Sequence, residues 1–285
     1  MTEHHNAKPV LILGGNGKTG RRVADRLQAL GREVRLASRS TQPSFDWTDP
    51  ATWAGAFEGA GAVYIAYQPD LAVPGAVDAV RRITELARAA GVRRLVLLSG
   101  RGEEEAQRAE AVLQASGADW TIVRAAWFAQ NFSENFLLDG VLAGEVALPA
   151  GDTPEPFVDA DDIADVVTAA LVDDRHIGQL YEVSGPRLLT FAEAVQEIAA
   201  ASGRPIRFTD LPAAQYEAAL GQYGLPADFI WLIMYLFTTV LDGRNAHVSD
   251  GVERALGRPP KDFATYAREV AATGVWEAQQ LMQAS

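Results

Sequence analysis

The stretch PVLILGGNGKTG (residues 9–20) decides the fold, because it leads from an apolar run through a glycine-rich turn into a helical pattern. Its first part, PVLIL (9–13), carries no polar side chain, which is typical of a strand buried on both faces of a parallel sheet. After the turn, Val23 and Leu27 recur at helical spacing up to Gly31, a residue type that commonly ends helices. The stretch therefore predicts a buried strand, a tight turn and an amphipathic helix.

The glycine-rich turn has the residue types of two different phosphate-binding loops. Its Gly-Lys-Thr (17–19) also ends the phosphate loop of ATP- and GTP-hydrolysing proteins, but that loop needs a glycine where this chain has Ile12. The spacing Gly-x-x-Gly-x-x-Gly instead matches a variant of the dinucleotide fingerprint, whose glycines let the backbone approach a pyrophosphate at a helix N-terminus. The residues of the turn expected to bind the dinucleotide are Gly14, Asn16, Gly17, Lys18, Thr19 and Gly20.

The end of the second predicted strand, EVRLAS (33–38), indicates which dinucleotide binds. A carboxylate there holds the ribose hydroxyls of NAD, whereas an arginine accommodates the additional phosphate of NADP. The chain has Ser38, Arg39 and Ser40 at this place and no acidic residue. The sequence therefore predicts NADP(H), with Lys18 as a second positive charge near the same phosphate.

Strand-like and helical patterns alternate through the first half of the chain, which is typical of a parallel sheet wrapped by helices. One helix is expected to open with Glu103, Glu104 and Glu105, because carboxylates suit a helix N-terminus. Beyond residue 186 the pattern is mostly helical, so we expect an α/β domain over 1–185 and a smaller domain over 186–285. Further strands are predicted at SFDW (44–47), AVYIAY (62–67), RRLVLLS (93–99), DWTIVR (119–124) and QLYEVSGP (179–186).

Composition excludes several classes of partner. The formal net charge of −12 disfavours nucleic acid and anionic membranes, and the absence of cysteine excludes disulfides and thiolate chemistry. The start, MTEHHNAKP (1–9), lacks the regions of a signal peptide, and the longest apolar run, FIWLIMYLFTTVL (229–241), is shorter than the roughly 20 residues a membrane helix needs. We expect a cytoplasmic monomer or homodimer, with no nucleic-acid or membrane partner.

No cluster of side chains predicts a metal site. His176 and His247 have no neighbours at metal-ligand spacing and are expected at the surface or at caps. Asp159, Asp161 and Asp162 stand where a helix is predicted to begin, so capping and the helix dipole account for them better than catalysis does.

The chain resembles the NmrA-like branch of the atypical short-chain dehydrogenase/reductases over nearly its full length. The resemblance implies a doubly wound parallel Rossmann sheet with strand order 3-2-1-4-5-6-7. It also implies a smaller, mostly helical C-terminal domain that closes a cleft over the nicotinamide, to which segment 127–157 contributes. The matching stretches are GGNGKTG (14–20), SRS (38–40), DWTDP (46–50), AGVRRLVLLSG (90–100), SGADWTIVRAAWFAQNF (116–132), FVDADDIADVV (157–167), YEVSGP (181–186) and ALGRPPKDFATYARE (255–269).

Further cofactor contacts follow from the resemblance, by match of position. It implies that Asp46 and Trp47 flank the adenine. The remaining positions implied along the cofactor are Ala66, Tyr67 and Gln68 after one strand, and Ser99 and Gly100 at the tip of the next.

The sequence departs from the wider superfamily in its proton relay. Orthodox members use Tyr-x-x-x-Lys, but here no tyrosine follows Ser99 at that spacing and no lysine lies between Lys18 and Lys261. Iminium ions, cationic dyes and quinones accept hydride without that relay, and NmrA-like relatives include reductases of such compounds. The resemblance thus suggests an NADPH-dependent reductase of a conjugated, electron-poor acceptor of the imine, quinone or enone type. Tyr67 and Ser99 are its candidate catalytic residues, although Ser99 fits a structural hydroxyl equally well.

Aromatic residues supply candidates for contact with a small hydrophobic or aromatic substrate. The alternative for each is packing in a core, and the apolar run over 229–241 fits a dimer face as well. A non-catalytic NADP(H)-binding redox sensor is the rival function, because a missing proton relay fits it too. The substrate candidates are Trp127, Phe128, Phe132, Trp231 and Tyr235.

Overall fold

The computed structural model describes residues 8–277, so most of the stretch 1–9 used for the signal-peptide expectation lies outside the described residues. Two compact units divide the chain. The first comprises the described residues up to Ala125 with Ala160–Val183 and Ser249–Pro259; the second comprises Ala126–Asp159, Ser184–Val248 and the described residues from Pro260. Across residues 8–277, every helix is too short or too polar to span a bilayer.

Strands and helices alternate as the sequence pattern indicates. The strands are β1 (Val10–Leu13), β2 (Val34–Ala37), β3 (Ala62–Ile65), β4 (Arg94–Gly100), β5 (Asp119–Ala125), β6 (Glu145–Leu148), β7 (Gln179–Val183) and β8 (Arg207–Asp210). The α-helices are α1 (Lys18–Ala29), α2 (Trp53–Ala56), α3 (Ala76–Ala89), α4 (Glu104–Gln114), α5 (Asn131–Glu134), α6 (Leu138–Ala143), α7 (Ala160–Val172), α8 (Phe191–Ser202), α9 (Ala213–Gln222), α10 (Ala227–Tyr235), α11 (Gly251–Leu256) and α12 (Phe263–Ala271).

The first unit is built on a parallel sheet in the order β2-β1-β3-β4-β5-β7. Every residue of β1 and β3 is buried, as the apolar runs predict for central strands. Leu11 and Val63 belong to a core cluster that includes Val80 of α3 and Leu113 of α4. Tyr64 instead donates its hydroxyl to Thr19 Oγ1 in α1, at 2.9 Å. Helices thus cover both faces, and the predicted doubly wound α/β fold is confirmed.

The strand predicted at 44–47 is wrong. Asp46 N donates to Thr52 Oγ1 at 2.9 Å and Asp46 O accepts from Trp53 Nε1 at 2.6 Å, so its backbone bonds within its own turn. Its one ladder contact is an isolated bridge between Asp46 and Asp49. Apart from this missing edge strand, the order of the sheet agrees with the order that the resemblance implies.

The second unit contains a small parallel sheet, β6 beside β8, and an aromatic core. Thr190 and Glu193 form the capping box that the sequence predicted at the start of α8. Residues 126–159 belong to the second unit, and Ser249–Pro259 belongs to the first. The sequence analysis instead predicted a single domain boundary after residue 185. The segment Ser249–Pro259 belongs to the first unit because its helix, α11, packs on β7 and α7. Such a contact between distant parts of the chain is not visible in local sequence patterns.

His176 lies in the interior rather than at the surface. Its side chain is 1% exposed, its Nδ1 lies 2.8 Å from Tyr181 Oη, and its carbonyl accepts a hydrogen bond from Thr121 Oγ1 at 2.7 Å. Burial lowers the pKa of His176, with the charge of Arg175 adding to the effect. The folded chain therefore binds a proton there less readily than the unfolded chain.

We expect the free energy of unfolding to fall as the pH drops through about 6.5, the pKa of His176 in the unfolded chain. His176→Asn removes this part of the pH dependence, while His247→Asn, which changes an exposed histidine, retains it. Urea unfolding followed by circular dichroism between neutral pH and the pKa of the folded state measures both. Parallel stability profiles for wild type and His176→Asn would contradict the assignment.

Candidate functional site

The glycine turn between β1 and α1 is a cradle that side chains would fill. Gly14 has φ +83°, and a Cβ there would lie 2.6 Å from the carbonyl oxygen of Ala66. A Cβ on Gly20 would lie 2.3 Å from the carbonyl oxygen of Gly14. Gly17 N donates to Gly14 O at 3.0 Å and closes the turn. Gly14 thus allows a left-handed backbone conformation, Gly17 closes the tight turn, and Gly20 lets the helix pack closely on the turn.

No side chain caps the backbone N–H groups at the N-terminus of α1. Gly17 is the cap residue and makes no side-chain hydrogen bond, and the first turn of α1 carries no acidic residue. Lys18 is the first helical residue and Asn16 is exposed beside it. The hydroxyl of Thr19 accepts from Tyr64, so that side chain braces the turn on β3. These groups suit a pyrophosphate held by backbone N–H groups at the helix N-terminus.

The turn after β2 presents Arg39 to solvent. Thr41 Oγ1 donates to Ser38 O at 2.8 Å, and the hydroxyl oxygens of Ser38 and Ser40 lie 3.0 Å apart, so the turn is fixed on both sides of Arg39. Asp46 accepts two hydrogen bonds from Thr48, which lower its pKa, with the charge of Arg39 contributing less. Arg39 is therefore a cation near Asp46, at the carboxyl end of the second strand.

Aromatic side chains adjoin the turn after β3. The rings of Trp47 and Tyr67 meet edge to face, with centroids 4.9 Å apart. Trp47 Nε1 is buried and has no hydrogen-bond partner within residues 8–277, which fits a bound group that offers an acceptor. Gln68 Nε2 would lie 3.6 Å from a Cβ on Gly17, and Ala66 O contacts Gly14. The structure thus brings the predicted residues after β3 beside the glycine turn.

Ser99, near the end of β4, hydrogen-bonds to the buried ion pair of Glu110 and Arg124. Its Oγ donates to Glu110 Oε1 at 2.6 Å, and Arg124 Nε donates to the same oxygen at 2.9 Å. Arg124 also bonds the second oxygen of Glu110. Of the two interpretations left open by the sequence, this geometry favours the structural hydroxyl.

The buried carboxyl of Glu103, at the same edge of the sheet, was not predicted. Glu103 is 7% exposed and its carboxyl lies against Gly100, where a Cβ would approach Oε1 to 2.1 Å. Its Oε2 is buried and has no hydrogen-bond partner within residues 8–277, and burial raises the pKa of Glu103 well above its ordinary value, with the charge of Asp70 adding to the effect. The acidic run opens a helix, as predicted, because Glu103 is the N-cap residue of α4 and Glu104 and Glu105 lie in its first turn. The Glu103 side chain itself makes no capping bond. The burial of this carboxyl depends on the tertiary structure, and no local pattern in the sequence indicates it.

The aromatic candidates of the second unit separate into core and partly exposed groups. Phe132 is 0% exposed and packs on Phe157 and Phe263, so it is a core residue rather than a substrate contact. Trp127 and Phe128 are half-buried. Trp231 is 46% exposed and stacks on Tyr235, with centroids 5.4 Å apart and planes 10° apart.

The three aspartates expected at a helix start are held by cations or an amide instead. Asp161 pairs with Arg22 and Arg26, at 3.2 and 3.0 Å. Asp162 pairs with Arg258 at 2.7 Å. Asp159 accepts from Gln130 Nε2 at 3.0 Å and lies 3.3 Å from Lys261 Nζ. Their role is structural, as expected, but it works through ion pairs.

Comparison with known proteins places residues 14–174 in a family described as NAD(P)H-binding. The (4-alkanoyl-5-oxo-2,5-dihydrofuran-3-yl)methyl phosphate reductase of Streptomyces griseus subsp. griseus is 32% identical, over 91% of this chain and 97% of the relative. The NAD(P)H azoreductase of Xenophilus azovorans is 30% identical, over 92% of this chain and 98% of the relative. The crystal structure of Citrobacter sp. triphenylmethane reductase complexed with NADP(H) has the same fold, with TM-score 0.76, 17% identity, and coverage of 92% of this chain and 99% of that one.

Proposed function

The chain belongs to the NAD(P)H-binding family and is an NAD(P)H-dependent oxidoreductase, and from this premise we propose that it is an NADPH-dependent reductase of small, conjugated, electron-poor acceptors. The observation that carries the preference for NADPH is Arg39, exposed in a fixed turn after β2 with no carboxylate at the expected ribose position.

The first unit offers a group for each part of the dinucleotide. Backbone N–H groups at the glycine turn hold the pyrophosphate, and Arg39 with Lys18 holds the 2′-phosphate. The indole N–H of Trp47 has no hydrogen-bond partner within the described residues and would donate to the adenosine half. When bound, the reduced nicotinamide supplies a hydride.

The class of acceptor is inferred from the absence of the Tyr-x-x-x-Lys proton relay in the sequence. Without Tyr-x-x-x-Lys, a plain carbonyl has no relay to protonate its oxygen as charge grows. A conjugated acceptor spreads that charge, and a cationic one is neutralised by the hydride, so binding and orientation supply most of the catalysis. Two relatives support this class, since one is named for a dihydrofuranone with an acyl group and the other for an azo compound.

Tyr67 is the candidate polar contact of the acceptor. Burial raises its pKa, so its hydroxyl keeps a proton to donate, whereas the hydroxyl of Ser99 is already used by Glu110. Trp127, Phe128, Trp231 and Tyr235 remain candidates for an apolar lining that holds a flat ring.

Steady-state oxidation of NADPH with a panel of enones, quinones and cyclic iminium salts tests this function. We expect turnover with at least one class and a higher kcat/KM with NADPH than with NADH. No turnover with any acceptor, together with tighter binding of NADP⁺ than of NADPH, would contradict the reductase and favour the redox sensor.

A further inference from the structure

Tyr64 places a hydroxyl between β3 and α1, inside the first unit. It is the third residue of β3, its side chain is 0% exposed, and it lies in register with Ile12 of β1, the strand that leads into the glycine turn. A buried phenol usually has a hydrogen-bond partner. The partner of Tyr64 is Thr19 Oγ1, at 2.9 Å, and Thr19 is the second residue of α1 and only 3% exposed.

The hydrogen bond leaves Thr19 with a hydrogen of its own to donate. Tyr64 is the donor, and burial raises its pKa, so the phenol keeps the proton that it donates. A hydroxyl group has one donor and two acceptor sites, so Thr19 accepts from Tyr64 while its own hydrogen points away from that ring. Within residues 8–277, no group accepts this hydrogen.

Thr84 shows what a buried helical threonine otherwise does. It is also 3% exposed, and its Oγ1 donates to the carbonyl oxygen of Val80, four residues earlier in α3, at 2.7 Å. The equivalent acceptor for Thr19 is the carbonyl oxygen of Gly15, but the described part of the chain contains no such bond. A buried donor without an acceptor costs free energy, so the hydroxyl of Thr19 suits a bound group that supplies one.

The position of Thr19 indicates which group this is. Side chains of a helix lean toward its N-terminus, so the side chain of Thr19, at the second helical position, leans toward the glycine turn. Gly17, the cap residue, makes no side-chain hydrogen bond there, and the first turn of α1 has no acidic residue. A phosphate oxygen is a strong acceptor, and the N-terminus of this helix is where the pyrophosphate is expected.

We propose that Tyr64 is a positioning residue for the cofactor, because its hydrogen bond fixes the Thr19 hydroxyl as a donor to the pyrophosphate of NADP(H). Without Tyr64, that hydroxyl can turn its hydrogen toward the carbonyl of Gly15, as Thr84 does toward Val80, and the pyrophosphate loses a donor. The inference rests on the NADP(H) site of the proposed function, and it concerns binding of the cofactor rather than the identity of the acceptor.

Removal of both hydroxyls separates binding from stability. The double variant Thr19→Val/Tyr64→Phe leaves no buried hydroxyl of this pair unpaired, so its thermal unfolding should resemble that of the wild type. Its affinity for NADPH should nevertheless fall at least about tenfold, since a hydrogen bond to a charged group is lost. Thr84→Val, at the other buried helical threonine, is the matched control and should bind NADPH like wild type.

The single variants test the part played by Tyr64. Tyr64→Phe alone should weaken NADPH binding several-fold, but it should have no further effect on affinity when Thr19 is already valine. Thr19→Ser retains the hydroxyl and should restore affinity. Phosphorus-31 NMR of NADPH bound to the full chain locates the effect: Thr19→Val should shift the pyrophosphate resonances and leave the 2′-phosphate resonance unchanged.

A double variant that binds NADPH with wild-type affinity would overturn the proposal and leave the two hydroxyls a purely structural pair. Equal effects of Tyr64→Phe with and without the Thr19 hydroxyl would overturn the positioning role as well. If the wild-type chain binds NADPH but reduces no acceptor, the proposed reductase fails while these binding measurements still decide the role of Tyr64, so the two failures are distinguishable.

Discussion

Gly20→Ala is expected to weaken NADPH binding by up to about 100-fold and to destabilise the first unit. A Cβ at this position would lie 2.3 Å from Gly14 O and 2.8 Å from Gly15 Cα, and both are backbone atoms. The turn must therefore open, which removes the N–H groups from the pyrophosphate. Overpacking of this kind costs about 1–3 kcal/mol, and each 1.4 kcal/mol is about tenfold in affinity. Quenching of tryptophan fluorescence by NADPH and thermal unfolding measure the two effects.

Gly221→Ala is the matched control for this substitution. Gly221 lies in α9 of the second unit, and a Cβ there would meet no atom within 4 Å. Alanine is favoured over glycine in a helix, so this variant should bind NADPH like wild type and be equally or more stable. Similar affinities for the two alanine variants would contradict the function assigned to the glycine cradle.

Arg39→Ala is expected to weaken NADPH binding by about 10- to 100-fold and NADH binding little. A hydrogen bond to a charged group contributes about 1.5–3 kcal/mol, and only NADPH carries the 2′-phosphate that Arg39 would bind. The change in NADPH affinity should also diminish at high salt, because the interaction is between exposed charges. Titration with each reduced cofactor measures the ratio of affinities.

Arg32→Ala is the control for Arg39→Ala, since Arg32 is also exposed but precedes β2 at the opposite end of the strand. It should leave both affinities unchanged. Equal losses for NADPH and NADH in Arg39→Ala would sink the assignment of Arg39 to the 2′-phosphate.

The sequence predicted the parts of this molecule that depend on local backbone demands. Gly14 has a positive φ and Gly20 packs closely on the turn. Both conditions favour glycine, so the glycine pattern in the sequence was enough to predict the turn. The buried strands β1 and β3 were predicted because full burial leaves apolar runs. The capping box at Thr190 was predicted because its two partners are neighbours in sequence.

Features created by tertiary contacts were not predictable. The burial of the Glu103 carboxyl depends on the space that Gly100 leaves open. Phe132 was predicted to contact substrate because a ring after a strand end suits a ligand, yet the aromatic core of the second unit encloses it. Asp46 and Trp47 have strand-like neighbours, but hydrogen bonds to Thr52 and Trp53 turn the backbone there.

Transfer of deuterium from NADPH labelled at C4 of the nicotinamide tests the central claim most directly. With a conjugated enone as acceptor and each C4 epimer of the cofactor in turn, mass spectrometry of the saturated product follows the label. We predict that one epimer gives a product with one deuterium at the β-carbon and that Gly20→Ala gives much less of it at the same subsaturating cofactor concentration. Failure of every acceptor class to yield a labelled product with either epimer would contradict the reductase.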